Sequence, residues 1–273
     1  MHVAWRAGLL ALYCKWKYKI KYVVSEHWTV FLPGARPGFS EKNFAVRMLI
    51  RAIYRKAHTC SAVSAQLAGA LQKQFSVSRP YVIPNVLDTV LFRPSENKKD
   101  IFRMIHVSDF NYQKNPEQLF EAIAILKSKY AGLFELLVFA PDEKPVTAMA
   151  AKYDIADVVK FRNYVPHEIL AREMSESDML VLYPNFEIFG CVVIEAMASG
   201  IPVIVSDIPV MHEIVNEHTG IIVPLNDPAF LAKKMPWIIN NRKRFDPLRL
   251  ALHVEEHYSF KKAGTLFDAF YEI

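Results

Sequence analysis

Short, mostly apolar runs alternate with polar loops and longer mixed segments along the chain. Ile101–Val107, Phe134–Ala140, Val158–Val165, Met179–Leu182, Ile201–Val205 and Ile221–Pro224 are such runs, and each predicts a buried strand. Helical signals fill the spaces between them. Asn115-Pro116-Glu117-Gln118 predicts a helix start, with an Asn N-cap, Pro at N1 and Gln at N3. Leu119, Ala122, Ile123 and Leu126 supply its buried stripe. Further helices are expected at Lys144–Tyr153, from Pro166-His167-Glu168, at Cys191–Ala198 up to the stop Ser199-Gly200, at Pro228–Asn240 and at His253–Tyr271. Upstream, the pattern predicts a basic amphipathic helix over His2–Lys21 and a strand running into a loop over Tyr22–Trp28. A loop at Pro33–Gly38 and a helix over Glu41–Lys56 follow. Ala62–Ser64 then reads as a strand, Ala65–Gln74 as a helix and Tyr81–Val86 as an extended segment. This alternation predicts an α/β fold.

One stretch concentrates the candidate chemistry. In Tyr183–Asp207, YPNFEIFGCVVIEAMASGIPVIVSD, Glu187 and Glu195 stand eight positions apart around Gly190. The pattern is strand, loop, helix, strand. Glu187 falls in the loop and Glu195 about two turns into the helix. Loops at the carboxyl ends of strands bind ligands in open α/β sheets, and the free N–H groups of a helix start favour an anion. That suits a sugar nucleotide, with phosphate at the helix start and carboxylates for the hydroxyls. A surface Glu in a loop and a satisfied helix Glu fit the spacing as well. Lys114, before the helix at Pro116, offers a cation beside another helix N-terminus.

Composition narrows the classes. The apolar fraction of 52% suits a packed core. Cys14, Cys60 and Cys191 have no metal or disulfide spacing, which suggests a reducing cytoplasm. No secretory signal is evident, and no run approaches the ~20 apolar residues needed to span a bilayer. The net charge of +5 is uneven: residues 1–60 hold 11 Lys and Arg against 2 Asp and Glu, the remainder 22 against 26. A basic leading segment suits an anionic membrane surface, an anionic substrate or nucleic acid. The first helix reads as a domain helix with a basic outer face, with an interfacial helix as the alternative. Arg47, Arg51 and Arg55 recur on one helix face, to meet an acidic acceptor, lipid phosphates or solvent. No nucleic-acid readout motif accompanies them.

Glu187-Ile188-Phe189-Gly190, followed by Glu195-Ala196-Met197-Ala198-Ser199-Gly200-Ile201-Pro202-Val203, resembles the E-x7-E signature of the retaining GT-B glycosyltransferases of family 4. The likeness continues through Ser206-Asp207, Glu213-Ile214-Val215, Thr219-Gly220 and Asp227, and an IPN-x-x-D-like segment occurs at Ile83–Asp88. The resemblance implies a complete Rossmann-like C-terminal domain over 93–252 and a partial N-terminal, acceptor-side domain over 1–92. A linker is expected around Phe92–Lys99, and residues 253–273 form a helix crossing back. The opening strand and Gly-rich loop of the family lack a counterpart, so the chain reads as N-terminally truncated.

The resemblance also implies roles. Glu187 would face the donor sugar and Glu195 the ribose, while Phe189–Val192 offer backbone amides, with Ile188, Gly190 and Cys191 lining the same turn. His27 would contact sugar hydroxyls, Lys114 the diphosphate, Ser108 and Asp109 the first loop's donor contacts, and Tyr164 and Val165 the base. Two departures stand out: Ile188 replaces a usual Gly, and Asp109 falls where the family has an Arg. The expected reaction is metal-independent transfer of a hexose-type sugar from a UDP- or GDP-sugar to a carbohydrate or lipid-linked acceptor, in glycan or polysaccharide biosynthesis. No cofactor and no nucleic acid are expected. The expected location is cytoplasmic, at the inner face of an anionic membrane. The alternatives are an inactive or partner-dependent sugar-nucleotide-binding fragment, and an epimerase or phosphorylase on the same fold.

Overall fold

A computed structural model describes residues 1–5, 7–97 and 100–272. Arg6, within the expected basic helix, and Lys98 and Lys99, at the end of the expected linker, lie outside the described residues. The chain divides into two compact units. One holds Met1–Asn85, Phe186–Phe189 and the stretch from Lys261; the other holds Val86–Asn185 and Gly190–Phe260.

The first unit contains α1 (Ala7–Tyr18), β1 (Val23–Glu26), α2 (Phe44–Lys56), β2 (Thr59–Ala62), α3 (Ala65–Phe75) and β3 (Tyr81–Val82). Its three strands are parallel in the order β1-β2-β3. The strand expected at Ala62–Ser64 instead begins at Thr59, because the register with β1 pairs Val24 with Cys60 and Glu26 with Ala62. Ser64 leaves the ladder to cap α3, its hydroxyl accepting from Leu67 N at 3.2 Å. The next helix starts at Phe44 rather than Glu41. Asn43 caps it by accepting from Ala45 N at 2.8 Å, and Phe39–Glu41 form a separate 3-10 turn. Tyr54 stacks on Phe75 at 4.4 Å, and Phe31 meets Phe75 edge-on at 5.3 Å.

α1 departs from the amphipathic expectation. Its buried contact is made by Gly8, where an added Cβ would come within 2.2 Å of Ile53 Cδ1. The helix approaches α2 through that missing side chain, while Leu9, Leu10, Tyr13 and Trp16 stay exposed. Glu26 ends β1 fully buried. Its carboxylate accepts from Ala4 N at 3.1 Å, Tyr54 Oη at 2.5 Å, His27 N at 2.9 Å and Trp28 N at 3.0 Å.

The second unit runs β4 (Phe102–Val107), α4 (Pro116–Tyr130), β5 (Phe134–Phe139), α5 (Glu143–Lys152), β6 (Val159–Arg162), α6 (His167–Ser175), β7 (Met179–Leu182), α7 (Cys191–Ala198), β8 (Val203–Ser206), α8 (Met211–Ile214), β9 (Gly220–Val223), α9 (Pro228–Asn240) and α10 (Pro247–Tyr258). Its six strands are all parallel, in the order β6-β5-β4-β7-β8-β9. Met104, Ile105, Leu136, Leu180 and Val203–Val205 are buried; strands covered on both faces carry continuous apolar runs for this reason. α4 packs on α9, and α7 on α10.

Several boundaries shift. β6, at the sheet edge, stops at Arg162 instead of Val165, pairing with β5 alone. β8 begins at Val203 because Pro202 has no N–H for the ladder. The single helix expected over His253–Tyr271 is two, α10 and α11 (Phe260–Tyr271). Leu87 N donates to Tyr258 O at 2.9 Å, and Ser259 turns extended at ψ 159°, which breaks the helix there.

Candidate functional site

β4 and β7 are neighbours, although the chain visits β5 and β6 between them. β4–β6 spread one way across the sheet and β7–β9 the other. Such a reversal opens a crevice at the carboxyl ends of the two central strands, the usual ligand position of an open α/β sheet. The loops leaving β4 and β7 border it. Asn185 ties them together: its backbone N–H donates to Gln113 O at 2.8 Å and its Nδ2 to Tyr112 O at 2.7 Å.

The β4 loop begins at Ser108. Its hydroxyl lies 2.7 Å from His106 Nε2 and accepts Phe110 N–H at 3.1 Å. His106, fully buried within β4, has Nδ1 2.9 Å from Val181 O. Burial pushes its pKa down to about 4, against that carbonyl and aided by the charge of Lys114, so the ring is neutral at pH 7. The sequence-based candidates did not include His106. A histidine among strand hydrophobics was the available signal.

Lys114 closes a 3-10 turn, Tyr112–Lys114, and is half-buried. The next residue corrects the expected cap. Asn115 stands in the left-handed region at φ 51° and makes no side-chain cap hydrogen bond; Pro116 does begin α4. The Asn115 side chain is buried and its Nδ2 has no hydrogen-bond partner. Asn111 caps the 3-10 turn before it, accepting from Lys114 N at 3.3 Å.

Asp109 is exposed and accepts the hydroxyl of Tyr164, which leaves the β6 end. Burial, and then Asp109, push that phenol up to about 12. The Tyr164 backbone N–H is held by Asn163 Oδ1 at 2.7 Å, and Val165 is half-buried.

At the β7 loop, Gly190 adopts φ 94°, ψ 57° immediately before α7, a conformation that favours glycine. The first N–H groups of α7, from Cys191 and Val192, have no acceptor within the helix. Cys191 is exposed and Val192 half-buried. Glu195, also half-buried, faces burial that pushes its carboxyl up, opposed by nearby His167. Glu187 is buried and its Oε1 accepts Ile188 N–H at 3.0 Å; Phe189 is buried. The unit boundary falls between Phe189 and Gly190, so Glu187, Ile188 and Phe189 group with the first unit and Gly190, Cys191, Val192 and Glu195 with the second.

His27 belongs to the first unit, just past β1. Its Nε2 lies 3.3 Å from Ser25 Oγ, and its ring centroid is 5.8 Å from that of His2. Burial, then the charge of His2, lower its pKa against a raising contact from Asn85. Among the described residues no group of three His, Cys, Asp or Glu could hold a metal ion, and no helix is long and apolar enough to cross a membrane.

Known proteins resemble this chain in both parts. Residues 1–91 match the family model of Glycosyltransferase Family 4, and residues 89–252 match that of Glycosyl transferases group 1. A D-inositol 3-phosphate glycosyltransferase of Streptomyces scabiei (strain 87.22) is 28% identical over 204 residues, covering 66% of this chain and 46% of its own length. Its counterpart in Streptomyces coelicolor is 34% identical over 131 residues, covering 44% and 29%. The chain thus spans less than half the length of these curated relatives. Among solved structures, sucrose-phosphate synthase from Thermosynechococcus elongatus superposes with TM-score 0.85 at 21% identity, over 99% of this chain and 72% of that one. Anabaena Alr3699/HepE in complex with UDP-glucose gives 0.80 at 15%, over 98% and 77%. At these identities the likeness is one of fold, and the fold is α/β of GT-B type. With the group 1 match running from residue 89 to residue 252, more than half of the sequence, the chain belongs to the glycosyl transferases group 1.

Proposed function

We propose that this chain carries the donor site of a retaining, metal-independent glycosyltransferase that moves a hexose-type sugar from a UDP- or GDP-sugar to a carbohydrate or lipid-linked acceptor. The observation that carries this reading is the reversal between β4 and β7, with the N-termini of α4 and α7 following the two loops that border the crevice. The diphosphate settles against the first amides of α7, and Lys114 supplies the opposing cation as the leaving charge grows, an electrostatic role. The unpartnered Nδ2 of buried Asn115 adds a donor beside Lys114. Glu195 accepts from the ribose hydroxyls and Glu187 orients the sugar. His27, its pKa lowered, offers a neutral imidazole to sugar hydroxyls. Tyr164 and Val165 flank the base, and Ser108, held by His106, shapes the loop against the phosphates. Substitution occurs at the front face of the anomeric carbon. Polysaccharide or glycan synthesis is the setting, in the cytoplasm at the inner membrane face, where the exposed Leu9, Leu10 and Trp16 with neighbouring lysines meet anionic lipid.

The relatives are named D-inositol 3-phosphate glycosyltransferases, which supports glycosyl transfer, and the HepE complex with UDP-glucose supports a nucleotide-sugar donor. One observation favours a second reading, a sugar-nucleotide-binding module without transfer. Asp109, an anion in the crevice loop, is held in place by Tyr164. Calorimetry with UDP, GDP and their glucose and mannose derivatives, beside a donor-hydrolysis assay, decides. Binding with turnover supports transfer, binding without turnover supports the module, and no nucleotide binding at millimolar concentration removes both.

A further inference from the structure

Arg47, Arg51 and Arg55 share a helix face in the sequence, yet the fold separates them. Arg47 and Arg51 line a cavity of about 560 Å³ together with Lys73 of α3 and the loop after β1. Arg55 lines a different hollow, beside Phe75 and Ser76. The first cavity lies wholly within the first unit. Its volume falls in the range of small-molecule sites, roughly 300–1,000 Å³. Phe31 and Phe39 give it an apolar wall.

Three cations, Arg47, Arg51 and Lys73, line this cavity with one carboxylate, Glu41. Among the described residues, none of Arg47, Arg51 and Lys73 pairs with a carboxylate. Glu41, the carboxylate at the cavity, accepts the Gly38 backbone N–H at 2.8 Å. Among the described residues Arg47 reaches Ser40 O, at 3.3 Å through Nη1, and its Nε is buried without a hydrogen-bond partner. The Arg51 guanidinium lies 5.9 Å from the Phe39 ring centroid. Arg103, by contrast, pairs with Glu135 at 2.5 Å and Glu173 at 3.0 Å. Three cations around one cavity, Arg51 and Lys73 of them exposed, favour an anion there, and a guanidinium matches phosphate oxygens through paired N–H groups. A small rotation of Arg47 toward a bound anion would satisfy an N–H that now has none.

We propose that this cavity binds a phosphate ester, the phosphate between Arg47, Arg51 and Lys73 and the organic part against Phe31 and Phe39. The site uses first-unit residues only and needs none of the groups assigned to sugar transfer. The ester comes either from a soluble phosphorylated metabolite or from a lipid headgroup. The test titrates the full chain with glycerol 3-phosphate, with glycerol as control, and separately co-sediments it with phosphatidylcholine vesicles with and without phosphatidic acid. Arg51→Gln and Lys73→Gln are expected each to weaken phosphate binding about tenfold, the loss of one charge-assisted hydrogen bond, while Arg55→Gln and the UDP affinity of every variant stay unchanged. Glycerol 3-phosphate binding with this pattern assigns a soluble ester, and vesicle binding alone with this pattern assigns a lipid. The proposal is overturned if neither probe binds, if the Arg51→Gln/Lys73→Gln double variant keeps full affinity, or if Arg55→Gln loses as much.

Discussion

His106 Nε2 sits 2.7 Å from Ser108 Oγ, and that contact holds the first crevice loop from inside the sheet. Val181 O, 2.9 Å from Nδ1, can only accept, so Nδ1 carries the proton and Nε2 accepts from the serine. Ser108 Oγ in turn accepts Phe110 N–H. One buried imidazole therefore links β4, β7 and the start of the loop.

This makes the fold acid-sensitive in a defined window. The folded pKa of His106, about 4, lies below the ordinary histidine value of 6.5, so the unfolded chain takes up the proton first. Its contribution is complete above about pH 6.5 and is lost as pH falls toward 4, about 3 kcal/mol in all. Urea unfolding at pH 7, 5.5 and 4.5 should show a steeper loss for the native sequence than for His106→Gln. Equal slopes in the two proteins would refute the assignment.

Glu195→Gln is expected to weaken UDP binding about tenfold, through a weaker acceptor for the ribose. Glu187→Gln should leave UDP affinity within about twofold and reduce transfer at least tenfold, because it acts on the sugar. Calorimetry beside a transfer assay reads both. Unchanged behaviour in the two variants would remove the carboxylate assignments.

Gly190 stands at φ 94°. Gly190→Ala should cost about 1 kcal/mol or more of stability and weaken nucleotide binding together, because the strain falls on the turn that presents the α7 amides. Thermal unfolding and UDP titration of the same sample test the coupling. A variant that loses stability but keeps full affinity would separate the turn from the site.

Asp109→Asn removes an anion from the loop bordering the crevice. UDP affinity should rise severalfold, about 1 kcal/mol for a charge at the surface of the site, whereas Tyr164→Phe should lower it by freeing the carboxylate to move. A fall in affinity on Asp109→Asn would mean that the carboxylate itself contacts the ligand.

Glu26→Ala should destabilise the first unit by about 3 kcal/mol, since it strands several buried donors at once. The backbone at His27 would loosen with it. Urea unfolding measures the loss, and a change below about 0.5 kcal/mol, the range of an ordinary surface substitution, would show that water replaces the carboxylate.

Much of the fold was legible because its signals are local. Apolar runs such as Met179–Leu182 exist because strands buried on both faces must be apolar. Pro116 and Pro228 open their helices by their own backbone chemistry. What failed were features that depend on a distant partner. Asn115 stands at the N-cap position of α4, but in the left-handed region its side chain makes no cap hydrogen bond. The chain near Ser259 looked helical until the Leu87 N–H claimed the Tyr258 carbonyl. The strand expected at Ala62–Ser64 lies earlier, at Thr59–Ala62, where it pairs with β1.

The site divides the same way. Spacing along the chain was enough to place Glu187 and Glu195 around Gly190 and to alternate strand with helix, the pattern of an α/β fold. Spacing could not show that β4 and β7 are neighbours, that Asp109 meets Tyr164, or that Arg47, Arg51 and Lys73 line one cavity. Those relations join segments far apart in sequence. Strand order and side-chain burial set them, and neither leaves a periodic mark in the residues themselves.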